Sequence, residues 1–447
     1  MGKDENNFAR GSIPRHIINL AGPMIVAQLI NVLYNVIDRI YIGRIPDVAT
    51  LAMGGLGLCL PLISIIIAFA NLFGMGGAPL CSIARGRGDI EEAEEIMGNS
   101  FMLLIIFGIV LTVIGLIFKE DLLWLFGASE HTIGYANDYM TIYLLGTVFV
   151  LIGLGMNSFI NSQGFAKIGM MTVLLGAIVN IILDPIFIFG LDLGVKGAAF
   201  ATVISQFISA LWTLRFLTGK KTILKIKKQY LSLKVKYVTK IISLGMAGFM
   251  MAITNSIVTI VCNATLQQYG GDLYIAIMTI INSIREVASL PGQGMANACQ
   301  PVLGFNARVL QGIKFVTLTA LSMMLIVWLA ITVFPELFIK IFSHNQEIIT
   351  HGVSALRLYF FGFFMMSFQM TGQAAAVGLG KSKQAVFFSI FRKVIIVAPL
   401  TVILPIYIGI DGVFIAEAIS NFIGGGACYI TMWFTIAKKL KSGIISE

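Results

Sequence analysis

The sequence predicts an all-α integral membrane protein with twelve transmembrane helices, arranged as two pseudo-symmetric six-helix bundles. Composition, the spacing of apolar stretches and an internal repeat lead to this prediction. Of the 447 residues, 57% are hydrophobic and only 12% are charged, and the mean hydropathy is +0.89. Because soluble domains average about 25% charged residues, this chain is too apolar to fold in water.

Twelve apolar stretches are long enough to cross a bilayer, since one span needs about 20 residues. They cover 16–42, 49–83, 96–118, 133–163, 168–190, 194–217, 238–266, 273–305, 314–339, 351–378, 384–408 and 412–437. The loops between them are too short for a catalytic domain, and the sequence carries no metal-binding or nucleophile motif. We therefore expect no enzymatic activity and no cofactor.

Lysine and arginine residues are concentrated in alternate loops. They cluster near both termini and in residues 218–237, which include "GKKTILKIKK", whereas the opposite loops carry few, such as Arg44 and Lys196. By the positive-inside rule, both termini and 218–237 are cytoplasmic in a multi-pass protein of the cell membrane. The net charge of +9 then reflects the orientation of the chain in the membrane. We expect the basic residues to contact lipid headgroups and not nucleic acid.

The two halves of the chain resemble each other. "IINLAGPMIVAQ" (17–28) matches "IISLGMAGFMMA" (241–252), and "LGVKGAAFATVISQF" (193–207) matches "IGIDGVFIAEAISNF" (408–422). Six spans separate the copies, so both have the same orientation, as in transporters built from two bundles that rock about a cleft. The predicted domains are an N-terminal bundle, a basic cytoplasmic linker and a C-terminal bundle, at 1–217, 218–237 and 238–447.

Carboxylates inside apolar spans are costly, which makes them functional candidates. In "VNIILDPIFIFG" (179–190), Asn180 and Asp184 are four residues apart and share one helical face. Pro185 removes the amide that would bond to the carbonyl of Ile181. At about 1.5 Å per residue, Asp184 lies in the outer half of its span. The alternative is that Asp184 merely caps the break at the proline.

Asp38, Tyr139 and Thr202 lie at a similar depth in three other predicted spans. Two neighbouring carboxylates in a low dielectric cannot both be charged cheaply, so a proton or a cation held by oxygen atoms would relieve their repulsion. For Asp38 the alternative is an ion pair with Arg39.

The paired acids do not recur in the second half. In the register of the repeat, Asp184-Pro185 becomes Ala398-Pro399, Asp38 becomes Cys262, and Thr202 becomes Glu417. A packing role would recur in both halves, so we interpret the acids as a specialisation of the N-terminal bundle.

Other polar residues within the spans could line a substrate cavity or simply bond to neighbouring helices. This group consists of Asn31, Tyr34, Asn35, Asn157 and Glu417. Arg285 and Glu286 indicate an internal ion-pair network or a substrate contact. The segment "IEEAEEIMGN" (90–99) is interpreted as the solvated start of the third span.

Four motifs together resemble the multidrug and toxin extrusion (MATE) family, especially its bacterial MepA-like and DinF-like branches. They are "LAGPM" in span one, "SQGFAK" after span four, "NIILDPIFIFG" in span five and "GVKGAAFATVIS" in span six. The similarity covers nearly the whole chain. It implies the MATE/MOP-type fold and an antiporter that exports amphipathic, often cationic, small molecules in exchange for H⁺ or Na⁺ by alternating access.

The resemblance also implies a coupling site in the N-terminal bundle. Family members place it on residues that match Asp38, Tyr139, Asn180, Asp184 and Thr202, and all of these except the tyrosine would hold Na⁺ if sodium is the coupling ion. Many relatives carry acids in spans seven or ten, where this chain has none, which leaves Glu417 to contribute to any second site.

A flippase for lipid-linked oligosaccharides, from the same superfamily, is the alternative function. Basic residues within the spans, such as Arg357, Arg392 and Lys393, could face a pyrophosphate group. We expect either protein to act as a monomer.

Overall fold

The computed structural model describes residues 25, 29–30, 32–33, 36–163, 165–303, 309–378 and 382–437. Every regular element in these residues is a helix, which confirms the predicted all-α class. Three of the predicted cavity residues, Asn31, Tyr34 and Asn35, lie outside the described residues, as does much of predicted span one.

The helices of the described chain follow one another with short connections. After the helical residues 36–42 come α1 (Ala49–Gly86), α2 (Ile90–Leu125), α3 (Ile133–Leu145), α4 (Thr147–Ser162), α5 (Ala166–Pro185), α6 (Gly194–Leu217), α7 (Val235–Leu303), α8 (Val309–Val333), α9 (Pro335–Lys340), α10 (Gln346–Phe360), α11 (Met366–Gly378), α12 (Ser382–Ile390), α13 (Ala398–Ile408) and α14 (Asp411–Met432). Two π-helical segments, Ile186–Gly190 and Phe391–Val397, follow α5 and α12.

Nine helices in the described residues are long and apolar enough to cross a membrane. The number is ten when α3 and α4, which are bent by 57° around Gly146, are counted as one broken span. Predicted span seven and the described part of predicted span eight lie in α7, which is interrupted at Gly271 (φ 68°, ψ −166°). Glycine adopts this conformation without the steric cost that other residues meet. A multi-pass membrane protein is therefore confirmed.

The third predicted span begins earlier than expected. Asp89 caps α2 by accepting a hydrogen bond from the amide of Glu92 at 2.9 Å, so the helix includes the acidic segment. Glu94 is buried, accepts the amide of Lys225 at 3.0 Å and pairs with Lys227 at 2.5 Å. The interpretation of a solvated start was therefore wrong for Glu94, because the chain after α6 folds back over it.

This returning chain, residues 218–234, is called the strap below. Gln163, just after α4, accepts hydrogen bonds from the Thr222 hydroxyl at 2.8 Å and from the amides of Ile223 and Leu224 at 3.0 and 2.9 Å. Asn99 on α2 accepts the amide of Lys234 at 2.7 Å. The predicted linker is thus fixed against the helix ends of the preceding bundle.

The described residues divide into two packing units. Those within 34–279 form one, here the N-terminal unit, and those after 279, together with the few described before 34, form the other, the C-terminal unit. In the N-terminal unit, a Cβ atom on Gly74 would lie 2.6 Å from the carbonyl oxygen of Gly155, so α1 and α4 approach closely, as helices with small residues do in membranes. The division falls within predicted span eight, and the repeat-based boundaries at 217 and 238 remain a prediction.

Candidate functional site

The side chains of Asn180 and Asp184 form the centre of the candidate site in the N-terminal unit. Both are completely buried on α5. The amide nitrogen of Asn180 donates to Asp184 Oδ1 at 3.0 Å and reaches Thr202 Oγ1 at 3.5 Å. The spacing of four residues thus places the two side chains on one helical face, as the sequence predicted, and that face meets α6.

Tyr139 and Thr202 bring two further helices to this group. Tyr139 lies on α3 and Thr202 on α6, and both are buried. Their side chains lie close enough to interact. The side chain of Thr202 therefore lies between Tyr139 on α3 and Asn180 on α5.

Asp38 joins the group from the helical residues 36–42. Its carboxylate is buried and close enough to Asp184 and to the Tyr139 hydroxyl for their charges to interact. The charge of Arg39 also acts on Asp38, so the ion-pair alternative accounts for part of its environment. The structure thus brings together the five residues that the sequence assigned to one depth.

Three oxygen atoms of this group accept no hydrogen bond from any described residue. They are Asp38 Oδ1, Asn180 Oδ1 and Asp184 Oδ2, and all three are buried. A buried acceptor without a partner costs about 1–3 kcal/mol, and more when it is charged. A proton on either carboxylate would supply a donor, and hard oxygen ligands of this kind also suit a small cation such as Na⁺. The residues present therefore fit either ion.

The backbone beside Asp184 is irregular. The chain does not end its helix at Pro185 but continues into the π-helical segment Ile186–Gly190, in which the amide of Leu191 donates to the carbonyl of Ile186 at 2.8 Å. Short π-helical insertions are frequent at functional sites. Here the insertion follows directly after the carboxylate that we assign to ion binding.

Among the predicted cavity residues, the structure describes Asn157 and Glu417. The amide of Asn157 donates to the carbonyl of Gly169 at 3.3 Å and so links α4 to α5, which is the alternative weighed for it. Its Oδ1 atom is buried and accepts no hydrogen bond from a described residue. Its place in a substrate cavity remains a prediction.

Glu417 lies on α14 in the C-terminal unit, within a group of charges that the sequence did not reveal. Its Oε1 atom is 3.3 Å from Arg392 Nη1 and 3.6 Å from Lys393 Nζ. Arg392 also donates to Asn421 Oδ1 at 2.6 Å. In the sequence, the indication of this group was the i, i+4 spacing of Glu417 and Asn421. The basic residue that both of them contact, Arg392, lies on a different span. The predicted substrate contact of Glu417 stays a prediction.

Comparison with known proteins points to one family. The model of the MatE family matches residues 23–186 and 247–403. The chain is 26% identical over 434 residues to the multidrug export protein MepA of Staphylococcus haemolyticus (strain JCSC1435). The alignment covers 94% of this chain and 95% of the relative. It is 25% identical to MepA of Staphylococcus aureus (strain MRSA252), with 92% of each chain covered.

Solved structures resemble the fold over almost its full length. An inward-facing multidrug resistance MATE family transporter of the MOP superfamily has a TM-score of 0.89 at 25% identity, covering 96% of this chain and 99% of that one. An outward-facing structure of such a transporter has a TM-score of 0.76 at 25% identity, covering 99% and 100%.

Proposed function

The chain belongs to the MatE family, and from that membership we propose that it is a multidrug export transporter. It exports amphipathic or cationic small molecules from the cell in exchange for H⁺ or Na⁺ by alternating access. The observation that carries the ion coupling is the group of three buried, unpaired acceptor oxygens on Asp38, Asn180 and Asp184. In this proposal both termini and the strap face the cytoplasm.

Binding of the coupling ion relieves the repulsion between Asp38 and Asp184. A bound proton or Na⁺ favours a packing of α5 and α6 against residues 36–42 in which the acceptor oxygens converge, whereas the ion-free protein favours a looser packing. A ligand shifts such an equilibrium only by its difference in affinity for the two states. If the ion binds one state about 100-fold more tightly than the other, it shifts the equilibrium between them by about 2.8 kcal/mol.

The flippase alternative is not favoured. The relatives that align with more than nine-tenths of the chain are multidrug export proteins by name. We expect the transporter to act as a monomer.

Substitution of Asp184 by asparagine tests the proposal. The variant keeps the size of the side chain but loses its charge and proton-binding capacity. We expect Asp184→Asn to lower gradient-driven efflux of a cationic dye from proteoliposomes by about 5- to 150-fold, the range of typical coupling free energies. Asp138→Asn is the matched control, because Asp138 lies on α3 and forms a partly exposed ion pair with Lys196.

Two imposed gradients separate the possible coupling ions. Efflux driven by a pH gradient without sodium indicates H⁺, and efflux driven by a sodium gradient at constant pH indicates Na⁺. Wild-type rates for Asp184→Asn under both gradients would contradict the proposed site, provided that Asp138→Asn is also active and both variants elute as folded protein.

A further inference from the structure

A second buried polar group lies in the C-terminal unit, where the π-helical segment Phe391–Val397 packs against α14. Arg392 is 4% exposed, and a Cβ atom on Gly424 would lie 2.7 Å from its Cγ, so its stem is tightly enclosed. The guanidinium contacts Glu417 and Asn421 on α14. Asn421 lies about 15 Å along α14 from the start of that helix, which is near the middle of a hydrocarbon core about 30 Å thick.

Basic side chains outnumber the carboxylates that they contact in the described part of this group. Arg392 and Lys393 share a single carboxylate, that of Glu417. The charge of Arg285 also acts on Glu417 and Lys393, and Glu286 follows it on the same helix. Among the described residues, two basic side chains thus contact one carboxylate, an arrangement that a second oxyanion would complement.

One donor in the group also lacks a partner. Arg392 Nε is buried and donates to no described residue, although Nη1 of the same side chain has two acceptors. A guanidinium binds oxyanions through parallel N–H donors. Lys393 keeps 12% of its side-chain surface exposed, whereas Arg392 and Glu417 are buried.

The repeat relates this group to the candidate ion site. Glu417 occupies the position of Thr202 in the repeat register. In the N-terminal unit the unpaired buried atoms are acceptors, on Asp38, Asn180 and Asp184, whereas in the C-terminal group the unpaired atom is the Arg392 donor. Only Thr202 and Glu417 are equivalent in this register, since Asp184 corresponds to Ala398 and Asp38 to Cys262, so the two groups differ in chemistry without being position-by-position counterparts.

We infer that Arg392 and Lys393 bind an oxyanion, such as a carboxylate, on an amphipathic molecule that the transporter exports. The substrates then include zwitterionic and anionic amphiphiles and not only cations. When no substrate is bound, the carboxylate of Glu417 pairs with both basic side chains. It therefore competes with the incoming oxyanion. This inference rests on the proposed export function and specifies its substrate class.

Rhodamine B and its ethyl ester test the inference, because they share a cationic ring system and differ in one carboxylate. Their affinities are measured by fluorescence polarisation on the purified full-length protein in nanodiscs. We expect the wild-type protein to bind the free acid more tightly than the ester. Arg392→Gln should weaken binding of the acid relative to the ester by about tenfold, the effect of one charge-assisted hydrogen bond. Glu417→Gln should strengthen it, because the competing carboxylate is gone.

Two further variants keep the test decisive. The double variant Arg392→Gln/Glu417→Gln removes one charge of each sign, so it should fold if Arg392→Gln alone does not, and it should show the same loss of preference for the acid. Lys340→Gln removes a half-exposed lysine that pairs with Glu336 and should leave the preference unchanged. The inference is overturned if the wild type does not prefer the acid, or if acid and ester change in parallel in every variant.

Failure of this inference is distinguishable from failure of the proposed function. Ion-driven efflux of the ester from proteoliposomes tests export without any carboxylate on the dye. An active, ion-coupled exporter that does not distinguish acid from ester would leave the proposed function intact and refute the oxyanion site. A protein that prefers the acid but responds to neither ion gradient would support the oxyanion site and refute ion coupling.

Discussion

At the scale of single residues, Asn180 determines which atoms of the candidate ion site are left unpaired. Its amide nitrogen is directed to Asp184 and Thr202, so the donor capacity of the amide is used and its oxygen remains an acceptor without a partner. An asparagine in an apolar span would ordinarily be expected to bond to a neighbouring helix. Here it adds a neutral oxygen to two carboxylates, which favours binding of a cation or a proton.

We predict that the coupling ion stabilises the folded protein through these oxygens. A ligand that binds only the native state, at 100 times its Kd, adds about 2.7 kcal/mol to the free energy of unfolding. Replacing choline by sodium at constant ionic strength, or acidifying the buffer, should therefore raise Tm by a few degrees. Differential scanning fluorimetry of the purified protein measures this shift.

The matched comparison is again Asp184→Asn against Asp138→Asn. The shift should disappear in Asp184→Asn and persist in Asp138→Asn, whose carboxylate lies in a partly exposed ion pair. An equal shift in both variants would mean that the ion binds elsewhere.

At the scale of elements, the strap is a fixed part of the N-terminal unit and not a free linker. Gln163 accepts three of its hydrogen bonds, and Glu94 accepts an amide and pairs with Lys227. The hydrogen bond to Glu94 raises the pKa of Lys227. Thr222 and Leu224 are buried as a result. The lysines of the strap therefore divide into those held by α2 and those left to meet lipid headgroups.

We predict that Gln163→Ala releases the strap. The amides of Ile223 and Leu224 lose their acceptor, whereas the Thr222 hydroxyl can still donate to the carbonyl of Leu224 at 2.8 Å. Each unpaired buried donor costs about 1–3 kcal/mol. Trypsin should then cleave after lysines of the strap at least about tenfold faster than in the wild type, because cleavage follows the population of the opened state. Limited proteolysis followed by mass spectrometry gives the sites and rates.

Gln163→Glu is the conservative control for that prediction. The Nε2 atom of Gln163 donates to no described residue, so a carboxylate can replace the amide and still accept all three hydrogen bonds. Protection should be retained in Gln163→Glu. Equal cleavage rates for Gln163→Ala and the wild type would show that other contacts, such as that of Asn99 with Lys234, suffice to hold the strap.

At the scale of the whole molecule, the two units differ in their buried charged groups. Among the described residues, Asp38 and Asp184 lie near Arg39 in the N-terminal unit, whereas Arg392 and Lys393 contact the carboxylate of Glu417 in the C-terminal unit. The repeat in the sequence predicts two related halves, and these groups of charged residues are where the halves differ. A transporter with two such sites could handle a coupling cation and a substrate oxyanion separately.

We predict the membrane orientation from the distribution of basic residues. Lys228 lies in the strap and Lys340 at the end of α9, and both are exposed. With the native cysteines replaced by serine, Lys340→Cys should react with a membrane-impermeant maleimide added to intact cells. Lys228→Cys should react only after permeabilisation. The reverse pattern would contradict the positive-inside assignment.

The sequence alone determined the helical class, the apolar spans and the face shared by Asn180 and Asp184, because helix periodicity and span length are local properties of the chain. It also placed Asp38, Tyr139 and Thr202 at the depth where the structure brings them together. The group of charges around Arg392 and the course of the strap were decided only by tertiary structure. Arg392 meets Glu417, and Gln163 meets Thr222, across 25 and 59 residues of chain. The partner of a long polar side chain depends on which helices pack beside it, and no local pattern records that choice.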